Sequence, residues 1–213
     1  MTGHDLSLHL VTDHRMPFTH VADVVDAAAG AGASIIQFRD KSAAGRDLFD
    51  RATALADVIA GRATFIVDDR VDVALAARAA GARIDGVHLG QSDLPVIAAR
   101  WLLGAEALIG WTANTPAHFA AAMALPEGTV DYLGVGVIRA TATKPDHPQP
   151  LGVDGFAELV ASAPLPCVAI GGIDVDDVAP LRRAGAAGVA VVSAVSGADD
   201  PAEATRALRE AWA

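Results

Sequence analysis

The chain has 213 residues, 52% of them hydrophobic and 20% charged, which allows one sizeable core and excludes an intrinsically disordered protein. A formal net charge of −10 leaves no broad basic face and argues against nucleic acid or an anionic membrane as partner. The single cysteine, Cys167, cannot form an intrachain disulfide, and its place in the run PLPCVAI predicts a buried thiol in a reducing compartment.

The opening MTGHDLSLHLVTDHR has no basic region followed by an apolar stretch, so no secretory signal is expected. No uninterrupted apolar run is long enough to span a bilayer, and a cytoplasmic protein is the expectation. The first apolar run lies at 8–11, followed by an Ala-rich helical stretch over 20–30. The runs at 34–38 and 64–67 bracket a helix over 47–60, and the run at 84–89 follows a helix over 71–81. Helices over 94–103 and 116–125 flank the run at 107–110. The runs at 130–137, 167–170 and 189–192 are each followed by a helical stretch, over 153–161, 176–185 and 201–212. Runs that stay apolar without alternating are those of strands buried on both faces. Gly32, Gly81 and Gly185 read as helix terminators, and Asp199-Asp200-Pro201 supplies a cap and an N1 proline for the last helix.

Eight strand–helix alternations predict a single α/β domain over 1–213, a compact (β/α)8 TIM barrel; a doubly wound open sheet is the alternative. Barrel chemistry sits at the carboxyl ends of the strands. There the chain offers Gln37, Arg39 and Lys41, then Asp68 and Asp69, then His88, Gln91 and Asp93. Strands five to eight add Thr112 and Asn114, then Thr141, Thr143 and Lys144, then Gly171-Gly172, and Ser193.

Lys41 and Lys144 are the only lysines, against fourteen arginines. A lysine ammonium is a compact point charge suited to phosphate oxygens. With Arg39 and the Thr141 and Thr143 hydroxyls they suit a pyrophosphate. Gly171-Gly172 and the Val192-Ser193 turn match the common barrel phosphate site, where backbone amides bind and a Cβ would obstruct. Asp69 and Asp93 end neighbouring strands, and magnesium is commonly held by one or two carboxylates plus substrate phosphates. The structural alternatives are that Asp93 caps the next helix and that Asp69 pairs with Arg70. His88 reads as a hydrogen-bonded barrel histidine, and the other histidines show no metal-ligand spacing. Trp101, Trp111 and Trp212 read as packing, with Trp111 a minor candidate for a ring-pocket wall. Asp174–Asp177 reads as a solvated helix start.

The segments IIQFRDK, VDDRVDVALAARAAGARIDGVHLGQSDLP, YLGVGVIRATATK, AIGGI and VAVVSAV, in that order, resemble the thiamine-phosphate synthase family over effectively the whole chain. The resemblance implies a transferase that joins 4-amino-2-methyl-5-hydroxymethylpyrimidine diphosphate to a thiazole phosphate, or its carboxylate form, releasing pyrophosphate. It implies Gln37, Phe38, Arg39, Asp40, Lys41, Asp68, Thr112 and Lys144 at the pyrimidine diphosphate, with Arg39, Lys41 and Lys144 catalytic. It implies Mg²⁺ on Asp69 and Asp93, and the thiazole phosphate on Thr141, Ala142, Thr143, Gly172, Val192 and Ser193. The implied reaction is dissociative: the C–O bond breaks first and the thiazole nitrogen attacks a methylene cation, so no general base is needed. A homodimer is consistent with such barrels.

Three positions depart from the family pattern. Asp68 stands where asparagine is usual, and could be an extra Mg²⁺ partner or a brake on diphosphate affinity. GVIRAT replaces a more proline-rich loop after strand six, and Thr112 keeps the hydroxyl of a frequent serine. The rival readings are a thiazole tautomerase relative and a non-catalytic phosphate-binding barrel.

Overall fold

In a computed structural model, which describes residues 3–141, 143 and 149–213, strands and helices alternate from end to end. The order is β1 (Leu8–Val11), α1 (Phe18–Gly30), β2 (Ile35–Phe38), α2 (Gly45–Ile59), β3 (Thr64–Asp68) and α3 (Val71–Ala79). Then come β4 (Gly86–Leu89), α4 (Val96–Leu103), β5 (Leu108–Thr112), α5 (Pro116–Met123), β6 (Tyr132–Gly136) and α6 (Gly152–Val160). The chain ends with β7 (Cys167–Ile170), α7 (Val175–Arg183), β8 (Gly188–Val191), α8 (Ser193–Ser196) and α9 (Pro201–Trp212). The eight strands are parallel and close in sequence order, β8 pairing back onto β1. This is the (β/α)8 barrel expected, and the open-sheet alternative is excluded.

Both faces of the strands are covered, which is why the runs show no polar alternation. The outer faces of the strands join the helices in one large core that includes Leu10, Ile36, Phe65 and Val189. A smaller inner cluster, including Val11, Ile35, Ile66, Leu108, Tyr132 and Val168, fills the barrel's lower half. Gly81 and Gly185 end their helices with φ of +94° and +96°, a conformation glycine adopts without a Cβ penalty. Asp200 accepts a hydrogen bond from the Glu203 N–H at 2.9 Å and Pro201 opens α9, as the sequence predicts.

Several expectations need correcting. β5 runs two residues past 110, carrying Thr112 on a regular strand, and α8 is a short helical turn where only a loop is expected. Trp101 is not a packing residue: it is 76% exposed on α4. Asp177 is not solvated. It is buried, and accepts hydrogen bonds from Arg139 Nε at 3.0 and 2.9 Å. Arg139 leaves the end of β6, so this ion pair ties the strand-six loop to the start of α7. Cys167 is buried as expected, and burial pushes its thiol up to about 12.

Candidate functional site

The carboxyl ends of the strands surround a cavity of about 820 Å³. Gln37, Arg39, Lys41, Asp68, Asp69, Asp93, Thr112, Thr141, Thr143, Gly172, Val192 and Ser193 all line it. Two expected residues lie elsewhere: Phe38 packs into the outer core, and Asp40 accepts from the Ser42 and Ala43 amides and pairs with Arg51. Ala142 and Lys144 lie outside the described residues.

Strand period places the polar groups. Ile35 faces the barrel interior, so Gln37 and Arg39, two and four residues on, rise along the same face to the rim. Thr12, just beyond β1, accepts from the Arg39 N–H at 2.9 Å and fixes the backbone there. Asp68, at the end of β3, is buried and accepts from Gln37 Nε2 at 2.7 Å. Its other oxygen is 3.4 Å from Arg39 Nε and 3.8 Å from Lys41 Nζ. Burial raises the Asp68 pKa, and the charges of Lys41 and Arg39 oppose that shift.

Asp69 breaks the strand. Its φ of +60° is rare for a residue with a Cβ, and its N–H donates to the His88 carbonyl at 2.8 Å. The turn aims its carboxylate at the Lys41 ammonium, which donates to it. Burial works to lower the Lys41 pKa, but this hydrogen bond and the fields of Asp68 and Asp69 outweigh it and hold it above the ordinary lysine value. Asp93 accepts from the Gly90 N–H at 2.6 Å. Burial raises its pKa, and the neighbouring Asp69 side chain raises it further. Neither structural alternative is realised: α4 is preceded by Pro95, not capped by Asp93, and Arg70 pairs with Asp72 instead of Asp69.

A carboxylate whose charge is disfavoured by burial and by an adjacent carboxylate, as at Asp93, is a fitting seat for a divalent cation. Among the described residues no group of three or more His, Cys, Asp or Glu side chains gathers to hold a metal. The chemistry of the Asp69 and Asp93 side chains suits the magnesium mode, in which one or two carboxylates hold the ion and substrate phosphates and water complete its coordination. Asp68 turns both oxygens toward Gln37, Arg39 and Lys41 and away from that role.

On the opposite wall, the glycine turn after β7 has φ of +99° at Gly171 and +67° at Gly172. A Cβ on Gly172 would lie 2.8 Å from the carbonyl oxygens of Arg139 and Ala140. The Arg139 N–H donates to the Gly171 carbonyl at 2.9 Å, holding the start of the strand-six loop beside this turn, and within the loop the Thr143 N–H donates to Thr141 Oγ1 at 3.2 Å.

Below the rim the barrel is filled by three rings. Tyr132 meets His9 edge to face with centroids 5.3 Å apart, and its hydroxyl is 3.0 Å from His88 Nδ1. Burial raises the phenol's pKa, so it keeps its proton, and burial also drags His88 down to about 4, so the ring is neutral. His88 Nε2 is 3.0 Å from Thr112 Oγ1, and the neutral ring donates to one of these two hydroxyls and accepts from the other. Glycines in the strands make the space: a Cβ on Gly110 would collide with Tyr132 and His88, and one on Gly134 would approach His88 Cε1 to 2.9 Å. His88 is the hydrogen-bonded barrel histidine expected. His9 and Tyr132 are the cavity residues that sequence reasoning missed. The signal for His9 was a polar residue in the middle of the apolar strand LHLV.

Residues 8–195 match the family model described as thiamine monophosphate synthase. The chain is 46% identical over 209 residues to a thiamine-phosphate synthase of Xanthobacter autotrophicus, covering 97% of this chain and 95% of the relative. It is 40% identical over 211 residues to a thiamine-phosphate synthase of Natronomonas pharaonis, with 97% and 95% covered. Among solved structures, thiamine phosphate pyrophosphorylase from Pyrococcus furiosus superposes with a TM-score of 0.82 at 34% identity, covering 98% of this chain and 96% of that one. A 3-hexulose-6-phosphate synthase superposes with a TM-score of 0.75 at 18% identity, which is a likeness of fold alone. The chain belongs to the thiamine monophosphate synthase family.

Proposed function

We propose that the protein is a transferase that joins an aminopyrimidine methyl diphosphate to a thiazole phosphate, forming a C–N bond and releasing pyrophosphate. The observation that carries this reading is the meeting of Lys41 and Arg39 from the β2 end with Asp69 and Asp93 from the ends of β3 and β4. Among the described residues, the two cations Lys41 and Arg39 face three carboxylates there, a balance that would repel a diphosphate. Asp69 and Asp93 would hold Mg²⁺, which would reverse that balance by supplying positive charge for the diphosphate oxygens. Lys41 and Arg39 donate to the same oxygens, and Lys144 is assigned to them by motif. As the C–O bond breaks, the pair of electrons leaves with the pyrophosphate, and the charge these side chains meet grows.

The pyrimidine ring lies against Gln37 and Thr112 in this reading. The thiazole phosphate takes the Gly172 and Val192-Ser193 amides with the Thr141 and Thr143 hydroxyls, so the thiazole nitrogen faces the methylene carbon. Its lone pair forms the new bond without loss of a proton, and no general base is required. The protein's contribution is alignment of two rings and stabilisation of a leaving anion.

A two-substrate assay tests the proposal. Pyrophosphate should appear only with both substrates and Mg²⁺ present. Metal-independent isomerisation of a thiazole carboxylate phosphate would replace this reading with the tautomerase. Binding of thiazole phosphate with neither activity would indicate the non-catalytic barrel.

A further inference from the structure

We infer that the Arg139–Asp177 ion pair positions the binding site for the thiazole's phosphate: one arginine, without touching the substrate, fastens the glycine turn after β7 against the start of the loop after β6. The inference rests on the function proposed above and deepens it, adding Arg139 and Asp177 as positioning residues.

The glycine turn has little of its own to hold its shape. Gly171 and Gly172 carry no side chains, and φ of +99° and +67° is one conformation among the many that glycine adopts. Arg139 supplies what they lack, at both ends of the turn. At the start, the Ile138 N–H donates to the Ile170 carbonyl at 3.0 Å and the Arg139 N–H to the Gly171 carbonyl at 2.9 Å, which carries the β6–β7 pairing past the strands and onto the turn. At the far end the guanidinium reaches α7, where Nε donates to the two Asp177 oxygens at 3.0 and 2.9 Å. Asp177 also accepts from the Asp174 N–H at 3.2 Å, and Asp174 is the N-cap of α7. Residues 171–174 are therefore held between the backbone and the side chain of a single residue. The middle is packed as closely: a Cβ on Gly172 would lie 2.8 Å from both the Cβ and the carbonyl oxygen of Arg139.

Three features separate this contact from an ordinary surface ion pair. Asp177 is 1% exposed, and its hydrogen bonds to Arg139 outweigh burial and hold its carboxyl below the ordinary range. The contact is bidentate, Nη2 donating at 2.5 Å beside Nε, so the guanidinium is fixed in direction as well as distance. Finally, Arg139 is not among the residues lining the cavity, whereas Gly171, Gly172, Thr141 and Thr143 are. The pair acts on the backbone that a phosphate would meet, and not on the phosphate. Backbone amides bind an anion well only when their N–H groups are aimed in advance. The arginine also stands in GVIRAT, the segment that replaces a more proline-rich loop. Proline stiffens a loop through its own ring, and here an ion pair takes over that task.

The test is calorimetric titration with 4-methyl-5-(2-phosphoethyl)thiazole and with the same thiazole lacking its phosphate, each with pyrophosphate and Mg²⁺ filling the neighbouring site. The proteins are wild type, Arg139→Met, Arg139→Lys and Asp177→Asn, with a thermal melt of each. The Arg139 side chain is 58% exposed, so Arg139→Met should fold. It should lose roughly three- to tenfold in affinity for the thiazole phosphate and nothing for the dephosphorylated thiazole. Arg139→Lys keeps the charge but not the fork, and should fall between wild type and Arg139→Met. Asp177→Asn gives the sharpest contrast. It removes a negative charge and releases Arg139, so a plain positive field or a direct phosphate contact by Arg139 predicts equal or tighter binding. Positioning predicts weaker binding, because an amide there turns its NH₂ toward one of the donors that the carboxylate satisfies. Unchanged thiazole-phosphate affinity in Arg139→Met, wild-type affinity in Arg139→Lys, equal or tighter binding in Asp177→Asn, or equal losses for the two thiazoles overturns the inference and leaves the proposed reaction standing. Failure of wild type to bind the thiazole phosphate overturns the proposed reaction, and the inference with it.

Discussion

Replacing Asp68 by asparagine removes a buried negative charge while keeping an oxygen that can accept from Gln37. The carboxylate holds Arg39 at 3.4 Å and Lys41 at 3.8 Å, two cations assigned to the diphosphate. At an effective dielectric constant of about 20, a unit pair at that separation is worth about 4 kcal/mol. The Lys41 side chain is 47% exposed, and solvent screening brings its share down to about 1–1.5 kcal/mol. Released from Asp68, that interaction becomes available to the substrate. Asp68→Asn should therefore tighten pyrimidine-diphosphate binding about tenfold. Relief of the buried charge offsets the lost ion pairs, so the melting temperature should change little. Titration calorimetry with the diphosphate and Mg²⁺ measures the first quantity, and a thermal melt the second. Weaker binding in Asp68→Asn would refute the reasoning, because the carboxylate would then be orienting the cations or serving the metal.

Asp93→Asn keeps an acceptor for the Gly90 amide but removes the charge, and should lower Mg²⁺-dependent turnover by about 10²–10³-fold; an unchanged rate across a Mg²⁺ titration would contradict it. Gly172→Val forces a branched side chain into a backbone with φ of +67° and against two carbonyl oxygens, so thiazole-phosphate affinity should fall at least about tenfold. Equal affinity by calorimetry would move that phosphate elsewhere. Burial lowers both His9 and His88, to about 3 and about 4, from 6.5. The unfolded chain then binds more protons than the folded one below pH 6.5, so stability is full above 6.5 and is lost as pH falls toward 4. By pH 5 each histidine should withdraw about 2 kcal/mol, read from urea unfolding at pH 7.5 and 5. His9→Phe should remove about half of that loss; an identical loss in the variant would show that His9 does not titrate this way.

Much of the barrel was legible because its strands are buried on both faces and its helices end on glycines. Gly81 and Gly185 stop α3 and α7 by backbone geometry that no neighbour needs to impose. The rim residues were legible for a similar reason: strand period carries Ile35 to Gln37 and Arg39 without reference to the rest of the fold. What the sequence concealed depends on contacts between distant strands. Asp177 looks like one more acid in a charged helix start, and only the approach of Arg139 from β6 makes its burial tolerable. His9 and Tyr132 stand far apart in the chain, and nothing local announces that their rings meet edge to face. Trp101 failed in the other direction, since aromatic bulk implies burial only when a neighbour covers it.

The glycines of β5 and β6 exist to be empty. Gly110 and Gly134 are defined by what surrounding rings occupy, so the usual survey by alanine substitution, meant to prune atoms, would overfill the barrel at these positions. An inactive Gly110→Ala would then report a jammed interior and say nothing about chemistry. Engineers seeking a roomier pocket have the opposite lever: trimming Tyr132 enlarges the floor, whereas every change at its glycine neighbours can only shrink it.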